Sequence, residues 1–220
     1  MSTGLLISFE GVDGCGKSTQ VARLAQRLTA AGHDVIVVRE PGGTTIGERV
    51  RALVLDPEAG VVDPAAEALL YAASRAQLVS DVIEPALAAG RVVIVDRYVD
   101  SSLAYQGAGR GLGVDAVLEA NLLATRGRLP DLTLLLEAPL AIAAERRRVA
   151  GEPGDRIELA GNDFFERVHA AYGELAERWP RRIQRIDATP APDAVASAIA
   201  LAVHQRLQLV PAATTEEAPA

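Results

Sequence analysis

What this chain has least of is lysine. Lys17 is the only one in 220 residues, and every other strong cation is arginine. Codon bias accounts for the arginines but not for the one site that stayed lysine. A compact ammonium on a flexible stem fits between phosphate groups where a planar guanidinium does not. Lys17 therefore marks a position under chemical constraint. Cysteine is as scarce: Cys15 stands alone. That excludes an internal disulfide and matches a reducing compartment, so a cytoplasmic location is expected. No apolar run approaches the ~18 residues that span a bilayer, and no membrane attachment is expected. The N-terminal stretch lacks a basic region, and LLISF (5–9) reads as a strand rather than a secretion signal. Positive charge is in overall deficit, with a formal net charge of −7. A nucleic-acid partner is not expected, and any anionic ligand must be gripped by locally concentrated cations.

Apolar residues are not lacking. They make up 49% of the chain, enough for one globular domain with a sizeable core. Apolar runs at 5–9, 34–38, 91–96, 131–137 and 182–187 predict five strands. Three are nearly continuous, the pattern of strands covered on both faces. Helical periodicity fills 18–31, 46–55, 64–88, 98–106, 115–126, 139–150, 162–178 and 192–208. Gly32 is placed to stop the first helix, and Asp63-Pro64 to start the third. Strands alternating with helices predict an α/β fold, a parallel sheet flanked by helices in three layers. No repeat or linker interrupts it. Residues 1–208 read as one domain, and the Pro/Ala/Glu-rich stretch 209–220 as a disordered tail.

Gly11, Gly16, Lys17 and Ser18 fit the phosphate-loop pattern G-x-x-x-x-G-K-[ST], between a predicted strand and a predicted helix. Glycines let backbone N–H groups turn toward phosphate oxygens, and the helix adds its positive end. The segment from Gly11 through Val12, Asp13, Gly14, Cys15, Gly16, Lys17 and Ser18 to Thr19 is the expected ATP site. Lys17 is expected on the β- and γ-phosphates and the Ser18 hydroxyl on Mg²⁺. Cys15, at a variable loop position, reads as a passive small side chain. Three arginine-bearing segments follow predicted strand ends or lie near them: REPGGT (39–44), VIVDRY (93–98) and ERRRVAGEPGDRIE (145–158). Strand ends of a doubly wound sheet face one crevice. Arg39 is expected to pair with a phosphate there, Asp96 to orient Mg²⁺ or its water, and Arg97 to bridge two phosphates. The basic segment at about 146–160 reads as a lid.

Many cations around one crevice suggest two phosphate-bearing ligands rather than one. A guanine-specific switch would need an Asn-Lys-x-Asp motif, and no second lysine exists. A kinase acting on an unphosphorylated nucleoside stays open, with Glu40 or Asp96 as base, as does a regulatory ATPase with no nucleotide acceptor.

Taken in order, FEGVDGCGKST, REPGGT, EALLYAASRAQL, DRYVDSSLAYQG, PDLTLLLE and DRIE resemble the thymidylate kinases, a family of P-loop nucleoside-monophosphate kinases. The blocks cover most of residues 5–190. The resemblance implies the P-loop NTPase three-layer fold and the reaction ATP + dTMP → ADP + dTDP with Mg²⁺, on the route to dTTP. It implies that Arg39 and Arg97 hold the acceptor's 5′-phosphate, Tyr71 stacks on thymine, and Arg75 binds a base carbonyl. Ser102 and Gln106 would sit near base and sugar. Tyr105 would pack on the deoxyribose, and Asp13 would meet the 3′-hydroxyl region or the metal. The family commonly has Phe at the position of Tyr71; stacking survives the change, but a buried hydroxyl needs a partner. Family members draw an extra arginine from either the phosphate loop or the lid. No arginine stands at Val12–Cys15, so the resemblance places it among Arg146, Arg147, Arg148 and Arg156, with Arg148 and Arg156 preferred. The family is commonly dimeric, so a homodimer is expected. An anionic acceptor oxygen needs no strong base, and His33, His169 and His204 read as surface or packing residues.

Overall fold

Five strands form one all-parallel sheet: β1 (Leu5–Glu10), β2 (Val35–Arg39), β3 (Val92–Asp96), β4 (Leu132–Glu137) and β5 (Ile183–Asp187), in the order β2-β3-β1-β4-β5. The structure, a computed structural model, describes residues 4–151 and 154–208. The expected tail at 209–220 lies outside the described residues. All of β1 is buried, as are all but the last residues of β3 and β4. These three strands occupy the middle of the sheet. β2 is equally apolar yet lies at an edge, and Val37 is half exposed there.

Nine α-helices flank the sheet among the described residues: α1 (Lys17–Ala30), α2 (Thr45–Leu55), α3 (Pro64–Leu78), α4 (Glu84–Ala88), α5 (Val99–Ser102), α6 (Val114–Thr125), α7 (Leu140–Ala150), α8 (Asn162–Arg178) and α9 (Pro192–Gln208). Their ends follow local chemistry. The Asp63 carboxylate accepts from the Ala65 and Ala66 amides, with Pro64 in the first turn, where its missing N–H costs nothing. Gly32, at φ 89°, lets the chain leave α1 and return the His33 amide to the Leu28 carbonyl. α1 packs on β1, β2 and β3 and against α9, which covers β4 and β5; α4 packs on β3 and α8 on β5.

Two predicted helices are not uniform. The helix expected over 64–88 widens into a π-helical turn at Val79–Ile83 before α4. Pro85 supplies a reason, since its ring has no N–H and crowds the carbonyl four residues back. The helix expected over 98–106 is the single turn α5 followed by a π-helical segment, Leu103–Gly109. Tyr105 and Gln106 are carried on that wider turn. All three histidines are exposed.

Ile94 sits mid-sheet, fully buried between Ile7 of β1 and Val37 of β2. Ile94→Ala should lower the free energy of unfolding by about 3 kcal/mol in a denaturant titration, through lost burial and a residual cavity. Substrate KM should not change.

Candidate active site

Parallel pairing sets Phe9 beside Asp96, so the chain leaves β1 and β3 at neighbouring points on one sheet edge. From β1 it enters the phosphate loop and then α1. Gly11 is at φ 130° and Gly14 at φ 85°, where a Cβ would collide with the Leu136 and Ala143 carbonyls respectively. The loop is thus pressed against the end of β4 and against α7, which only glycine permits. Lys17 is buried; its Nζ donates to the Gly11 and Val12 carbonyls, both at 3.0 Å, and lies 3.9 Å from Asp13. Cys15 is buried in the core. The Ser18 hydroxyl donates to Asp96 at 3.1 Å. Two hard oxygen donors side by side at the phosphate loop are of the kind that Mg²⁺ takes.

From β3 the chain enters Arg97, a non-glycine residue at φ 69° in the left-handed region. Such backbone strain persists where surrounding bonds hold it. The guanidinium donates to Asp13, to the Gly11 carbonyl (3.1 Å), to Ser101 (3.1 Å), and to the Tyr105 (3.3 Å) and Tyr172 (3.4 Å) hydroxyls. It lies 5.0 Å from the centre of the Tyr105 ring, whose hydroxyl donates to Asp13 at 3.1 Å. Burial opposes the charge on Asp13, but Arg97 and Lys17 outweigh it and hold the carboxyl well below the usual range.

Beside this cluster opens a cavity. Seven of the eight residues expected to hold the acceptor line it: Asp13, Tyr71, Arg75, Arg97, Ser102, Tyr105 and Gln106. Arg75 is fully buried; it donates to Glu40 (2.7 Å), Ser102 (2.9 Å), Asn121 and the Tyr98 carbonyl (3.0 Å). Tyr71 is half-buried, lines the cavity and forms no hydrogen bond among the described residues. On the other side of the loop a second cavity is lined by Gly16, Thr19, Arg146, Ala188 and Pro190 among others.

This arrangement matches known proteins closely. The thymidylate kinase family model matches residues 9–199. The thymidylate kinase of Deinococcus radiodurans is 50% identical over 206 residues, covering 94% of this chain and 99% of its own length. That of Pelotomaculum thermopropionicum is 49% identical over 188 residues, covering 86% of this chain and 87% of its own. The crystal structure of thymidylate kinase from Ehrlichia chaffeensis superposes with a TM-score of 0.74 at 29% identity, over 91% of this chain and 99% of that one. The chain belongs to the thymidylate kinase family. It is an enzyme, a dTMP kinase with the P-loop α/β fold.

In this thymidylate kinase family member, three of the arginines expected at the site have protein partners of their own. Arg39 does not line the acceptor cavity. Its guanidinium is about half exposed and paired with Glu48 (3.0 Å) and the Pro41 carbonyl (3.2 Å), because the edge strand β2 delivers it toward α2. Arg51 of α2 lines the cavity instead, and also donates to Pro41. Arg148 is exposed and paired with Glu145 on its own helix. Arg156 is turned inward, donating to Glu67 (2.6 Å) and the Val54 carbonyl (2.9 Å). The lid arginine against the phosphate loop is Arg147. Its Cγ would lie 3.0 Å from a Cβ on Gly14, and its buried Nε has no hydrogen-bond partner among the described residues. Arg146 donates to the Ala188 carbonyl at 2.9 Å.

Sequence reasoning also passed over Glu10, Ser101 and Tyr172. Glu10, fully buried, accepts from the Tyr98 amide (2.8 Å), Ser101 (2.5 Å) and Tyr172 (3.3 Å). Burial, then the negative charge of Asp100, raise its pKa from 4.5 to about 7. The fold therefore retains a proton that the unfolded chain has released, and the stability tied to it is present below pH 4.5 and lost as pH rises toward 7. Glu10→Gln should flatten that slope in denaturant titrations at pH 5 and pH 7; an unchanged slope would assign it to other groups.

Proposed function

We propose that the two cavities flanking Lys17 hold Mg·ATP and dTMP, and that the chain transfers the γ-phosphoryl group from one to the other on the way to dTTP. The observation that carries this reading is the convergence of both cavities on one phosphate loop, with Arg97 turned from β3 into the acceptor side. The donor's phosphates lie along Gly11–Thr19, with Lys17 exchanging its carbonyl partners for β- and γ-oxygens. Its base occupies the side lined by Thr19, Arg146 and Pro190. Ser18 and Asp96 would hold Mg²⁺, which would supply positive charge against the donor's phosphates.

On the acceptor side Arg97 and Arg51 hold the 5′-phosphate, and Tyr71 stacks on the base. Ser102 and Gln106 take polar edges, as does Arg75 if it shares one of its hydrogens. Tyr105 packs on the sugar, and Asp13 receives the 3′-hydroxyl. The attacking phosphate oxygen is already anionic, so no group need remove a proton. What the protein supplies is alignment and charge: two polyanions repel, and Lys17, Arg97 and Arg147 cancel that repulsion where the transferred group passes. Arg147 is the lid cation on this reading, because it lies against Gly14 of the phosphate loop, with Glu158 3.8 Å from its guanidinium.

The wider expectations also stand as our reading. Residues 1–208 form one kinase domain, and the protein works in the cytoplasm; no described helix is long and apolar enough to cross a membrane. A homodimer forms through α3 and α6, which pack together and expose Leu69 and Leu123.

The test is ADP release from Mg·ATP with dTMP, dUMP, UMP, AMP, thymidine or nothing added. The expected result is turnover that depends on dTMP. Lys17→Ala should abolish transfer, with a loss of at least about a thousandfold, while circular dichroism stays unchanged. ATP consumption indifferent to dTMP would contradict the reading.

A further inference from the structure

Glu67 is a buried charge for which the transfer chemistry has no task. It lies on the face of α3 that carries Tyr71 and Arg75 at the next two turns, and its side chain is fully buried. Arg110 donates to both its oxygens, each at 3.1 Å, Gln106 donates at 3.0 Å, and Arg156 donates at 2.6 Å. Arg156 is fixed at two further points: Nε donates to the Val54 carbonyl and its backbone N–H to the Leu55 carbonyl (3.1 Å). One carboxylate thus joins pieces of chain that each line the acceptor cavity: Tyr71 from α3, Gln106 from the π-helical segment, and Asp155 and Ile157 from the lid. Burial opposes its charge, but the donors from Arg110, Gln106 and Arg156 outweigh that and hold its pKa below the usual range.

We propose that Glu67 is a positioning residue that fastens the lid, through Arg156, to the wall of the acceptor cavity, and that Arg156 serves as the latch rather than as a phosphate ligand. The proposal rests on the reading of that cavity as the dTMP site. For Arg156 to reach the phosphates it would have to abandon both Glu67 and Val54, leaving a buried carboxylate short of a partner. With the latch made, Asp155 accepts from the Ile157 and Glu158 amides, at 2.8 and 2.9 Å, and Ile157 is buried at the cavity edge. Released, the same segment admits water beside the transferred group, so loss of the latch should favour hydrolysis over transfer.

Glu67→Gln, Arg156→Gln and the double variant test this by amide hydrogen exchange in ligand-free protein and by steady-state kinetics. Both single variants should speed exchange at 154–160 by about tenfold, the loss of one charge-assisted bond, and leave β1 and β3 unchanged. In both, kcat should fall and the share of ATP hydrolysed without transfer should rise. The double variant should be no worse than the poorer single one. If Glu67→Gln does not fold, Arg156→Gln, which leaves Glu67 its bonds to Arg110 and Gln106, carries the test alone. Unchanged exchange at 154–160 would overturn the latch. So would an Arg156→Gln loss of kcat that far exceeds that of Glu67→Gln and multiplies with it, since Arg156 would then act on the phosphates directly. Faster exchange together with ATP turnover indifferent to dTMP would support the latch and overturn the acceptor-site reading.

Discussion

Asp13 and Arg97 form the ion pair on which the arrangement of the site depends. One comes from the phosphate loop after β1, the other from the end of β3, and parallel pairing of those strands brings them within bonding distance. Arg97 reaches this position only by taking left-handed backbone angles, at a cost of ~1–3 kcal/mol that its own hydrogen bonds offset. The pair fixes the guanidinium before any phosphate arrives. A cation already oriented stabilises developing charge without reorganising at the moment of transfer.

Around that pair the molecule concentrates charge in places water does not reach. α3 carries Glu67, Tyr71 and Arg75 on one face at four-residue spacing, so a single rigid helix aligns a lid anchor, a ring and a guanidinium. Three buried pairs join opposite charges: Arg75 with Glu40, Glu67 with Arg110 and Arg156, and Arg182 with Asp100. Buried pairs of this kind contribute little to stability compared with an apolar core of the same volume. What they contribute here is geometry, in a chain whose apolar strands β1, β3 and β4 supply the burial. Stability and site are thereby divided: the middle of the sheet holds the fold, and its strand ends hold the charges.

That division explains what was legible in the sequence. Continuous apolar runs read directly as strands because β1, β3 and β4 are covered on both faces. The edge position of β2 was not legible, since pairing on one side alone leaves no mark in the run 34–38. The phosphate loop was legible because glycine spacing, one lysine and a following helix are all local. On the short segment after β3, Arg97 was legible from its strand end, while Ser102, Tyr105 and Gln106 came through the family resemblance; all four line one cavity. Arginines on longer tethers did not. Arg39 and Arg51 are twelve residues apart in sequence, and only packing of α2 against α3 decides which faces the cavity. The same holds for Arg147, Arg148 and Arg156, whose direction depends on how α7 sits on Gly14 and how residues 155–158 sit on Glu67. Glu67 itself carried a signal that went unread: a carboxylate one turn before Tyr71, on the face that α3 turns inward.

The most direct measurement compares the affinities of dTMP and thymidine for the native chain and for Arg97→Gln by titration calorimetry. The two ligands differ only in the phosphate. If Arg97 holds that phosphate, the variant should lose more affinity for dTMP than for thymidine, so that the preference for dTMP narrows. A preference for dTMP that survives the substitution intact would contradict the placement of the acceptor phosphate, and with it the two-polyanion picture of the site.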